Sequence, residues 1–77
     1  MDKFKKGDRV KSKFPVGDLN VSNAIGTVIS ASQRRFYNIV SVEFDDYIDG
    51  HCNGGTGKEG HCWDLYPNEL ERIEDKE

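Results

Sequence analysis

The sequence predicts an all-β domain of five short strands, rolled into a small barrel, with one long Gly/Asp-rich loop and a 3₁₀ turn before the last strand. Three observations carry this reading. Apolar residues alternate with polar ones at period two, as in Val40, Val42 and Phe44 against Ser41 and Glu43. No segment has the 3.6-residue periodicity of a long helix. Turn-forming Gly, Asp, Asn and Pro divide the chain at short intervals. The 77 residues make a single domain, expected to be ordered over roughly residues 4 to 74, with frayed ends.

Gly7-Asp8 is a turn signal before a first strand, Arg9 to Phe14. There Val10, Ser12 and Phe14 point inward, and Arg9, Lys11 and Lys13 point outward. Pro15, which has no N–H for a ladder, ends the strand. Val16 to Asn23 is a loop, with Gly17, Asp18, Asn20 and Asn23 as turn residues. Ala24 to Ser32 is the second strand, built on Ile25, Val28 and Ile29, and Gly26 marks a bulge or sharp bend. Gln33, Arg34 and Arg35 form a polar tip, and Phe36 to Phe44 is the third strand. His61 to Tyr66 is the fourth, with Cys62, Asp64 and Tyr66 on one face and Trp63 and Leu65 on the other. Pro67 to Leu70 makes a 3₁₀ turn, and Leu70 to Ile73 a short fifth strand. Val10, Val28, Val40, Val42, Phe44 and Leu70 are the predicted core.

The stretch from Asp45 to Trp63, DDYIDGHCNGGTGKEGHCW, holds both histidines, both cysteines and most of the eight glycines. It reads as too polar and too glycine-rich for core. Its loop, 45–61, is long for a hairpin connection, and loops of that length in small domains are commonly functional.

The runs KKGDRVKS, AIGTVISAS, VSVEFDD and CWDLYPNELERI resemble SH3-like barrels of the KOW and Mind-bomb types. Gly7, Asp8, Val10, Gly26, Val28, Val42, Phe44, Asp45 and Leu70 carry that resemblance. DDYIDGH, GKEGHCW and NELERI also resemble small accessory proteins of bacteriophages. The resemblance implies a binding module rather than an enzyme. It also implies an accessory role in which the protein binds and modulates a host protein.

Composition limits the alternatives. With 35% hydrophobic and 32% charged residues, the core is compact and no deep interdomain cleft is expected. A net charge of -3 disfavours a dedicated nucleic-acid binder. No apolar run is long enough to span a bilayer, and MDKFKKGD lacks the apolar stretch of a secretory signal, so a cytoplasmic location is expected. A monomer or weak dimer without cofactor is the matching expectation. The basic first strand and the acidic tail are expected to neutralise one another if the two ends lie side by side.

The residues expected to bind a protein partner are Asp45, Asp46, Tyr47, Asp49, His61 and Trp63. The aromatics supply area with a polar handle, and the acids steer a basic partner. The rival set, for nucleic acid, is Arg9, Lys11, Lys13, Arg34 and Arg35, beside Phe36 and Tyr37. His51, Cys52, His61 and Cys62 have the ligand types for zinc, but adjacent strand residues face opposite ways, so the spacing argues against one ion. Asp45, Asp46, Asp49 and Asn53 lack the order of a calcium loop. GGTGKEG lacks the Ser or Thr of a phosphate-binding loop. No serine, histidine and carboxylate triad can be argued from spacing.

Overall fold

A computed structural model describes residues 4–34, 37–51, 55 and 57–73, with backbone alone at 33, 34 and 37. Five strands form one antiparallel sheet: β1 Arg9–Ser12, β2 Ile25–Arg34, β3 Tyr37–Phe44, β4 Cys62–Leu65 and β5 Leu70–Arg72. Their order across the sheet is β4-β3-β2-β1-β5. A 3₁₀ turn, Pro67–Glu69, joins β4 to β5 and is the one helical element among the described residues. Within them, no helix is long and apolar enough to cross a membrane.

The order places β4 and β5 on opposite edges, and they are not paired with each other. In a flat sheet, four strand spacings of about 4.8 Å would hold those edges about 19 Å apart. The link from Leu65 to Leu70 contains four residues, three of them in the 3₁₀ turn, which rises only about 2 Å per residue. So short a link requires the sheet to coil, and the turn rests against β3. The turn is closed by the Glu69 carboxylate, which accepts the Tyr66 N–H at 2.8 Å.

β2 makes the coil possible. Its first residues, Ile25 to Thr27, pair with β1, while β3 pairs along its length. The register slips between Val28 and Ser30. That extra residue bends and twists the strand. The irregularity therefore lies beyond Gly26, where the sequence placed it. Gly26 sits in regular register with Phe44 and Val10, and a Cβ there would lie 2.6 Å from the Glu43 carbonyl oxygen. Close approach of β3 explains this glycine.

All six predicted core residues are buried, with Val10, Val28, Val40 and Val42 at 0% exposure. The faces of β4 also follow the alternation: Trp63 and Leu65 stand opposite Val42 and Val40, and Cys62 and Asp64 opposite Glu43 and Ser41. β1 and β5 are neighbours, with Lys11 opposite Glu71. The closest ion pair there has the opposite polarity to the expectation, because Arg72 of β5 meets Asp8 of the N-terminal turn at 3.3 Å. Arg72 also lies over the ring of Phe4, and that ring is buried.

Two expectations are corrected. Phe14 is 54% exposed, not inward. The strand stops at Ser12 and the chain bends over Lys13 and Phe14, so alternation no longer applies; Val16 is buried just beyond the bend. Second, the long loop does contribute to the core, because Ile48 is completely buried within the hydrophobic cluster. Its N–H donates to the Gly60 carbonyl at 3.0 Å, and its carbonyl accepts the Leu19 N–H at 3.2 Å. Ile48 thus ties the β1–β2 loop to the β3–β4 loop. Gly17, at φ 74°, lies directly against Ile48, where a Cβ would collide with the Ile48 backbone.

Ile48→Ala is expected to lower unfolding free energy by about 2–5 kcal/mol, the range for truncating a large buried aliphatic side chain. Val42→Ala should cost roughly 1–3 kcal/mol. Urea denaturation of both variants tests the assignment. A change below about 0.5 kcal/mol at Ile48, as for a solvated loop residue, would remove it from the core.

Candidate functional site

The segment between β3 and β4 is folded back on itself as an irregular extension of the hairpin. Beyond Ile48, the Gly50 N–H also donates to the Gly60 carbonyl, and His51 and Cys62 exchange both backbone hydrogen bonds. Cys62 lies on the outer face of the sheet yet is fully buried. The returning loop covers it, and its thiol points to the Lys58 carbonyl at 3.6 Å.

This framework holds Tyr47 at the surface. The residue is 56% exposed. Its hydroxyl donates to Asp49 Oδ1 at 3.0 Å, and its ring meets His61 edge to face at 5.8 Å between centroids. Its flank lies so close to Gly60 that a Cβ there would collide with the ring. Gly60 has φ 84°, a conformation that costs glycine little. Asp49 itself has φ 58°, and Asp and Asn tolerate that left-handed region best among the other residues. The Asp49 carboxylate beside the hydroxyl holds the Tyr47 phenol above its ordinary pKa, because ionisation would break the bond and add a second negative charge. His61 is fixed in turn by Nδ1 against the Phe44 carbonyl oxygen at 2.9 Å.

Asp45 has a different role from the other acids. Arg9 of β1 reaches across the sheet and grips it with both terminal guanidinium nitrogens, at 2.8 and 3.1 Å. Arg9 also donates to Thr27 Oγ1 at 2.9 Å. The hydrogen bonds from Arg9 hold the Asp45 carboxyl below its ordinary pKa. Asp45 and Arg9, which the sequence assigned to rival binding sites, are therefore partners of each other. Asp46 remains exposed. Trp63 is half-buried against the core, and its ring stacks on His51 at 6.0 Å between centroids.

Of the basic set, the side chains of Arg9, Lys11 and Lys13 are described. Lys11 and Lys13 follow Arg9 along β1 and just past it. Arg34 ends β2, and only its backbone is described. Arg35 and Phe36 lie outside the described residues.

Of the four zinc-type residues, Cys52 lies outside the described residues, as does Asn53 of the acid group. His51 faces the Asp64 carboxylate at 3.7 Å, His61 the Phe44 carbonyl and Cys62 the Lys58 carbonyl. Among the described residues, no three His, Cys, Asp or Glu side chains converge as a ligand set. A serine, a carboxylate and an imidazole do meet in Ser41, Asp64 and His51. Here the carboxylate stands in the middle, accepting the Ser41 hydroxyl at 2.7 Å. A carboxylate so placed does not let the imidazole take the hydroxyl proton, which serine activation requires.

Beside Tyr47, an open cleft of about 440 Å³ is lined by Thr27, Ile29, Glu43, Asp45, Lys58 and His61. Sequence reasoning passed over Ile29 and Glu43 as site residues and weighed Lys58 only within the rejected phosphate-loop motif; the three lie on different elements. Comparison with protein-family models, with curated proteins and with solved structures returned no match.

The Asp45 linkage has a definite sign. Its folded pKa is lowered, so its contribution is present above the unfolded value, about 3.9, and is lost as pH falls through the folded value. The pair is exposed, with side chains at 38% and 54%, so solvent screening keeps it to roughly 0.2–1 kcal/mol. Asp45→Asn should therefore destabilise the protein by that amount at neutral pH. The difference should shrink with added salt and vanish once wild-type Asp45 is protonated. Denaturant titrations from neutral to acid pH measure it; a difference that grows on acidification would contradict the assignment.

Proposed function

We propose that the chain is a non-enzymatic protein-interaction module built on an SH3-like barrel, with its binding face on the β3–β4 segment. The coiled five-strand sheet supports the barrel, since β5 returns beside β1 and a short 3₁₀ turn links the two edges. The observation that carries the binding reading is Tyr47: a large aromatic that is more than half exposed yet held by Asp49, His61 and Gly60. An aromatic fixed before binding loses little side-chain freedom on docking, and such residues are frequent interface anchors. Asp46 and Asp49 add a negative field that speeds the approach of a basic partner.

Asp45 stabilises the platform through Arg9 rather than meeting the partner directly. Because that bond occupies Arg9, the rival nucleic-acid reading loses its first base to an intramolecular contact. The resemblance to bacteriophage accessory proteins makes a host protein, met in the host cytoplasm, the proposed partner.

A pull-down from bacterial lysate, with and without nuclease, tests this reading. Capture of a protein should survive nuclease. It should fall by more than about tenfold with Tyr47→Ala, the loss expected of an interface anchor, and be unchanged with Lys11→Gln and Lys13→Gln together. Capture that disappears on nuclease treatment and fails in the lysine variant would establish the nucleic-acid reading instead. Asp45 is unsuitable for this comparison, because its replacement also releases Arg9.

A further inference from the structure

Tyr47 stands among acids that come from three parts of the chain. Asp49 holds its hydroxyl. Asp18, from the β1–β2 loop, is brought in by its own N–H, which lies 3.4 Å from the Asp49 carbonyl. Glu59 precedes Gly60, the residue against the flank of the ring. All three carboxylates bear on the phenol electrostatically. Asp49 uses one oxygen for Tyr47, and its second has no hydrogen bond among the described residues.

We infer that Tyr47 is the docking point for an arginine side chain of the partner, with the guanidinium stacked on the exposed phenol ring and hydrogen-bonded to Asp49. This rests on the interaction-module reading and specifies its chemistry. A guanidinium is planar, weakly hydrated and forked. It can lie flat on an aromatic ring while its edge donates to a carboxylate, and an ammonium cannot do both equally well. The ring face supplies the cation–π attraction, the Asp49 oxygen the directional bond, and Asp18 and Glu59 the surrounding negative potential. Among the described residues, no basic side chain is bonded to Asp49. Arg9 is already bonded to Asp45 and Thr27. Lys58 lines the neighbouring cleft, and Tyr47 does not.

The geometry also supplies clean variants. Asp49→Asn removes the charge while keeping a residue that accepts φ 58° and whose side-chain oxygen can still accept the tyrosine hydrogen bond. Tyr47→Phe keeps the ring and removes the hydroxyl.

The probe is the blocked tripeptide acetyl-Gly-Arg-Gly-amide, titrated into the full chain and followed by amide chemical shifts. The controls carry citrulline, which has the same shape without the charge, and lysine. Saturable shifts are expected at Tyr47, Asp49, Gly60 and His61. Affinity should be at least about tenfold weaker for citrulline and clearly weaker for lysine, and should fall at high salt. Asp49→Asn should weaken binding by several-fold, Tyr47→Leu should abolish it, and Tyr47→Phe should retain most of it. Equal response to citrulline, equal response to lysine, or shifts that survive Tyr47→Leu would each overturn the inference. So would the absence of saturable shifts. If lysate capture still depends on Tyr47 while arginine is not preferred, the interaction module stands and only its arginine specificity falls. If capture fails as well, both fall.

Discussion

Burial of Ile48 constrains more of this molecule than any other single contact. An isoleucine flanked by Asp45, Asp46, Tyr47, Asp49 and Gly50 is the one strongly apolar residue that the first half of the loop can place in the interior. Once it is in the core, its backbone is fixed from both sides, by Gly60 on the return strand and by Leu19 on the preceding loop. The residues next to it then have no choice of side. Tyr47 is turned outward onto Gly60, and Asp49 is forced into a left-handed conformation from which it caps the tyrosine. A polar surface is displayed because an apolar residue beneath it is anchored.

Glycine at two positions permits the arrangement. Gly17 allows the β1–β2 loop to lie directly on Ile48, and Gly60 allows the return chain to lie against the Tyr47 ring. Both have positive φ as well as crowded surroundings, so conformation and space make the same demand. Among the described residues, Ile48, Gly50 and His51 are tied by backbone hydrogen bonds to Gly60 and Cys62, and such pairing holds that part of the loop in one conformation. A fixed loop can hold an aromatic for recognition at small entropic cost, which a mobile one cannot.

Charge organisation follows from the coiling of the sheet. β1 runs beside β2, so Arg9 stands opposite Thr27 and within reach of Asp45 at the end of β3. The bidentate pair fastens the start of the loop to the first strand, on the same outer face that carries the cleft and the cover over Cys62. Around Tyr47 negative charge is drawn from two loops, Asp49 and Glu59 from the β3–β4 loop and Asp18 from the β1–β2 loop.

The local rules of strand chemistry were legible in the sequence. Alternation located all five strands within a few residues, put Trp63 and Leu65 on one face of β4 and Cys62 and Asp64 on the other without deciding which faced the core, and identified six core residues from Val10 to Leu70. These features depend on near neighbours, and period two in a chain of apolar and polar residues encodes them directly. What alternation cannot encode is a single apolar residue in a polar loop, because one residue has no period; hence Ile48 read as loop. It also cannot extend past a bend, so Phe14 read as core. The partnership of Arg9 with Asp45 joins residues 36 positions apart, and the acidic ring around Tyr47 draws on the β1–β2 loop as well as its own. Both depend on which strands become neighbours and on where two loops touch, and that is decided only when the sheet coils and Ile48 enters the core.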